Sequence, residues 1–155
     1  MAFFTALPDA GAFSREVIEA SPDCFKILDL FGRLEFMNRN GQCLLEIEDV
    51  SAVEGRHFSS MWPAEEQRKV EVAVAAARAG DTARFTGFCP TQGGAPKWWD
   101  VMVYSVADGE GRPTHIAAVS RDITAAVQTQ RDLEAMLVEL KDLIEANSSL
   151  RAAAA

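Results

Sequence analysis

From Ile123 to Arg151 the chain runs without a glycine or a proline, and no other feature constrains its fold as much. Such a stretch is one helix, about 43 Å long at 1.5 Å per residue. A rod of that length is more than one small core can cover. Its apolar residues say what it needs instead. Leu133, Met136, Leu140, Leu143, Asn147 and Leu150 recur at alternating steps of three and four, the a/d seam of a heptad with Asn147 at an a position. A second register through Leu133, Leu137, Leu140 and Ile144 reaches Asn147 and then runs into Arg151, so the first is preferred. Leu137 and Ile144 flank the seam and widen it toward a bundle. The asparagine favours a pair, because two amides that meet cost less than one left unpaired among leucines. A homodimer built on this helix is therefore expected, with parallel or antiparallel pairing left open.

The rest must supply the globular part. The chain has 155 residues, a formal charge of −8 and a pI near 4.7, with 48% hydrophobic and 25% charged residues, enough for one core and no more. An acidic balance with no Lys/Arg cluster argues against nucleic-acid and membrane-surface partners. No apolar run approaches the roughly 18 residues that span a bilayer, and Met1 to Leu7 lacks a basic start and a long apolar segment. A cytoplasmic location is expected. Cys24, Cys43 and Cys89 are odd in number and widely spaced, which suits neither a disulfide framework nor a zinc site.

Along the chain, Phe3, Phe4 and Leu7 form an apolar tail, and a short helix is expected from Ser14, with Phe13, Val17 and Ile18 on one face and a stop at Ser21-Pro22-Asp23. Alternation from Cys24 predicts a strand, with Phe25 and Ile27 on one face and Lys26 and Leu28 on the other; Phe31-Gly32-Arg33 turns it into a second strand over Leu34–Met37. Asn38 and Asn40 are competent caps for a short helix over Gln42 to Ile47. Pro63 opens a longer helix that Gly80 stops, and Val70, Ala73, Val74 and Ala77 give it one small apolar face suited to lying across a sheet. Three strands follow, Thr82 to Cys89, Lys97 to Ala107 and Thr114 to Arg121, separated by Gly/Pro-rich turns. The expected class is α+β: a five-stranded antiparallel sheet with helices on one face, plus the long C-terminal helix. The corresponding domains are a tail and cap helix over 1–20, the sheet domain over 21–124 and the coiled-coil helix over 125–155.

In this order, Ser21-Pro22-Asp23, Trp62-Pro63, Trp98-Trp99-Asp100-Val101 and above all Ser120-Arg121-Asp122-Ile123-Thr124 give residues 14–124 a sequence that resembles a PAS domain. The exit segment from Leu140 to Ala152 looks like the linker that precedes the phosphoacceptor helix of bacterial hybrid sensor kinases. The resemblance implies a sensory module of a two-component histidine kinase, whose kinase or output domain is not in this chain, and it makes Arg121, Asp122, Ile123 and Thr124 the segment that couples the sheet to a signalling helix. From the residues alone, Asp122 or Thr124 is placed to cap the helix start, with Arg121 as the available counter-charge.

The resemblance also implies a core that sometimes encloses a ligand, here expected among Phe36, Leu45, Phe58, Trp62, Val70, Phe85, Trp99 and Val101. Cys43 precedes Leu44 and not an arginine, unlike the motif of flavin photoreceptors, and Pro63 to Ala79 has no histidine for haem. Neither cofactor is expected, which leaves an unidentified small apolar ligand or none. Cys43 or Cys89 with His57 makes only a nominal nucleophile and base, without an orienting third group, so no catalytic residue is assigned. The reading is a relay that works by dimerisation, with a ligand-free interaction domain as the alternative.

Overall fold

A computed structural model of the chain describes residues 10–155. The apolar tail Phe3–Leu7 lies outside the described residues, as does the side chain of Phe13. In chain order the elements are α1 (Ala10–Glu19), β1 (Cys24–Leu28), β2 (Leu34–Met37), α2 (Arg39–Leu45), α3 (Ala64–Arg78), β3 (Thr82–Phe88), β4 (Trp98–Ala107), β5 (Pro113–Asp122) and α4 (Thr124–Ala154), with 3-10 turns at Val50–Ala52 and Phe58–Met61. The strands form one sheet in the order β2-β1-β5-β4-β3, each neighbour antiparallel. The first helix starts earlier than Ser14, which sits inside it; otherwise the expected elements are present. The chain divides into a sheet domain ending at Asp122 and a helical unit, Ile123–Ala155.

Alternation decides the two faces of the sheet. Cys24, Lys26 and Leu28 point inward opposite Ser120, Ala118 and Ile116 of β5, and β4 continues that layer with Val101 and Val103. Against it lie α2, the turn at Phe58 and the buried face of α3, which is Val70, Ala73, Val74 and Ala77. Trp98 and Trp99 point to opposite faces as a strand requires: Trp99 is buried inside, and Trp98 packs outside against Phe88, the rings tilted and their centroids 5.5 Å apart.

Two local devices hold this arrangement. The buried Asn38 caps α2: its Oδ1 accepts from Gly41 N (3.0 Å) and Phe25 N (2.9 Å), while Nδ2 donates to Ile18 O (3.0 Å), Asp23 O (3.1 Å) and Ser21 O (3.5 Å). One amide thus ties the end of α1, the start of β1 and the start of α2. The second is glycine at 87, where a Cβ would come within 2.8 Å of the Trp62 ring; its absence lets the indole lie against β3.

Candidate functional site: the sheet cavity and the exit junction

Between the inner face of the sheet and the helical layer lies a cavity of about 30 Å³, lined by Lys26, Leu45, Phe58, Met61, Trp62, Cys89, Trp99 and Ser120. Of the residues expected from sequence, Leu45, Phe58, Trp62 and Trp99 meet there. Phe58 and Trp62 pack edge to face at 6.0 Å, and the Trp99 indole donates to Cys89 O at 2.9 Å, which fixes its ring. Val70 and Val101 are buried in the same core but do not line the cavity. Phe85 packs on Trp62 at 5.5 Å and faces a separate groove beside α3. Phe36 is misplaced by the sequence reading: the register pairs it with Ile27, so it belongs to the outer face.

Four wall residues were missed, and one changes the character of the site. Lys26 is only 3% exposed, with Nζ 2.8 Å from Cys24 Sγ and 3.3 Å from Ser120 Oγ, and 5.4 Å from the centre of the Phe58 ring. Period-two alternation sets Lys26 on one face with Leu28, but does not by itself say that this face is the inner one. Ser120, which Lys26 reaches across β5, was legible only once the register was known.

The nominal nucleophile is not an activated one. Burial pushes the Cys89 thiol up to about 11, so at neutral pH it stays protonated and unreactive, its Sγ donating to Met61 O at 3.2 Å. His57 is a loop residue, its Nδ1 2.8 Å from Ser59 Oγ at the start of the 3-10 turn.

At the end of β5 the coupling segment is held by two ion pairs. Arg121 forks onto the Asp23 carboxylate (3.0 and 3.2 Å), and Asp122 pairs with Lys97. The counter-charge of Arg121 is thus the residue before β1, and that of Asp122 the residue before β4. Ile123 occupies the N-cap position of α4 and its side chain supplies no cap bond. Within α4 every residue from Gln128 onward is exposed, Leu133, Met136, Leu140, Leu143, Asn147 and Leu150 among them, and Leu137 and Ile144 are exposed as well. Among the described residues no helix is long and apolar enough to cross a membrane.

A twisted five-stranded sheet with a helical layer enclosing a small aromatic-walled core, followed by a long exit helix, defines the class of PAS-type sensory modules, which are generally non-catalytic. The chain belongs to that family: the profile described as PAS fold matches residues 18–128. Solved structures agree on the fold. An RNA-binding light-oxygen-voltage receptor superposes with a TM-score of 0.70 at 20% identity, over 86% of this chain and 39% of the receptor; this chain therefore spans well under half of that protein. The PAS domain of an HTR-like protein from Haloarcula marismortui gives 0.62 at 20% identity, over 79% and 98% of the two chains. A PAS domain from Colwellia psychrerythraea gives 0.64 at 14% identity, over 74% and 97%. No curated protein matches the sequence significantly.

Proposed function

We propose that this chain is the input module of a bacterial histidine kinase, working as a cytoplasmic homodimer that passes a change in its core to an output domain through α4. The observation that carries this reading is the junction. Arg121 and Asp122, the last residues of β5, are each bound to the segment preceding another strand, Asp23 before β1 and Lys97 before β4, and the next element is a helix with its apolar stripe exposed. A rearrangement of this end of the central strands therefore bears directly on the residues from which the helix starts. No bond making is required: a signal that binds one dimer arrangement tenfold better shifts the balance by about 1.4 kcal/mol.

Replacing Asp122 by Ala tests the relay. In the full-length kinase, Asp122→Ala is expected to abolish the response of autophosphorylation to signal while far-UV circular dichroism and the unfolding midpoint of the sheet domain stay close to wild type. A variant that signals normally ends the proposal. The small volume of the cavity favours a second reading, a ligand-free dimerisation domain; a purified chain whose native mass equals that of two bare polypeptides, with no visible absorbance, supports it.

A further inference from the structure

Lys26 stands where a strand pattern calls for an aliphatic residue, between Cys24 and Leu28 and facing Ala118. An ammonium is among the costliest groups to strip of water, and buried cations are ordinarily met by a carboxylate. No ion pair among the described residues includes Lys26. Its polar partners are a thiol sulfur, which is a weak acceptor, and one hydroxyl. The ammonium carries three donors; beyond the sulfur, the hydroxyl and the Phe58 ring 5.4 Å away, no anionic acceptor among the described residues meets its charge. The cavity onto which it faces has otherwise largely apolar and aromatic walls.

The cavity alone is about one water in size. It shares Leu45, Met61 and Cys89 with a neighbouring, more open cleft of about 230 Å³. Leu45 and Met61 are only half-buried, and an unbranched thioether turns aside at little cost. Rotation of the Met61 side chain, at the wall the two share, would join the cleft to the cavity and give a way in and room for a chain behind the head group.

We propose that the core takes a small monocarboxylate, its acid group on Lys26 Nζ and Ser120 Oγ and its aliphatic or aryl body against Phe58, Trp62 and Met61. This rests on the sensory reading above and supplies its ligand class. A carboxylate meets an N–H donor and the charge together, which neither an alcohol nor an alkane does; an amine is repelled.

The test uses hexanoate, 1-hexanol and hexylamine added to the purified 155-residue chain, read by tryptophan fluorescence, since Trp62 and Trp99 wall the cavity, and by the thermal midpoint. Hexanoate is expected to quench the fluorescence and raise the midpoint, 1-hexanol to bind at least about tenfold more weakly for want of a charge-assisted hydrogen bond, and hexylamine to have no effect. Lys26→Met should erase the preference for hexanoate. Should that variant fail to fold, the wild-type panel still decides, and Ser120→Ala, which keeps the ammonium, should retain the order of preference with weaker hexanoate binding. Wild-type protein that binds hexanoate no better than hexanol, or not at all, overturns the proposal. Because no kinase enters the assay, such a failure leaves the Asp122 relay untouched, and a failed relay leaves the binding result standing.

Discussion

Leu28 and Leu143 are the same residue in opposite situations, the first wholly buried in β1 and the second 61% exposed on α4. Leu28 finds its neighbours within the sheet domain, where β5 sets Ile116 opposite it. Leu143 lies on a stripe exposed throughout. Burying a leucine is worth about 1.5–3 kcal/mol, and in β1 that gain is present at any protein concentration. On α4 the same residue type stays exposed, and under the proposed pairing its gain would come from a second helix and so depend on concentration. The sheet domain thus carries its own core, and the proposed pairing would supply one for the helix.

The contrast breaks most readily at the core. Trp99→Ala removes a buried indole and its hydrogen bond to Cys89 O and should cost about 4 kcal/mol in urea unfolding; Leu143→Ala, measured at high dilution, should cost well under 1 kcal/mol. Equal losses would erase the distinction between the two regions. Next in size is the seam. Asn147→Leu should strengthen helix pairing by about 1–2 kcal/mol while admitting trimers or mixed registers, seen by sedimentation as a loss of the single dimer species. A wild-type chain that sediments as a monomer at high micromolar concentration would show that α4 has no such partner.

The smallest effect lies on the outer face, where Arg84 forks onto Asp100 at 2.5 and 2.8 Å. The hydrogen bond from Arg84 holds the Asp100 carboxyl below its ordinary value of 3.8. A depressed carboxylate contributes stability above its unfolded pKa and loses it as pH falls through the folded one. Arg84 is largely exposed, so solvent screening keeps the gain small. Between pH 5 and about 3, Arg84→Met should lose slightly less stability than wild type in thermal melts. An identical pH profile would remove the pair from the account.

The elements were largely legible because each rests on local chemistry: Asn38 before α2, Pro63 and Gly80 around α3, glycine at the turns. Alternation predicted the opposite orientations of Trp98 and Trp99. What escaped was register. Phe36 is expected among the pocket residues, yet pairing with Ile27 turns it outward. Ser120 and Lys26 are 94 residues apart, and nothing in either segment announces that they touch. The partners of Arg121 and Asp122 were hidden for the same reason, since ion pairs across a sheet follow strand order and not sequence neighbourhood. The heptad spacing of α4 was plain to see, whereas nothing in that spacing names what covers the stripe.

The amide of Asn38 has one further consequence. Its two hydrogens and its oxygen are used in opposite directions, toward carbonyls on one side and backbone N–H groups on the other. An aspartate there would keep the outline and reverse half the polarity, setting a carboxylate against carbonyl oxygens in a buried place. Slow hydrolysis of asparagine side chains, harmless at most surfaces, is at this position a structural lesion. The durability of the folded module is therefore tied to keeping one carboxamide intact.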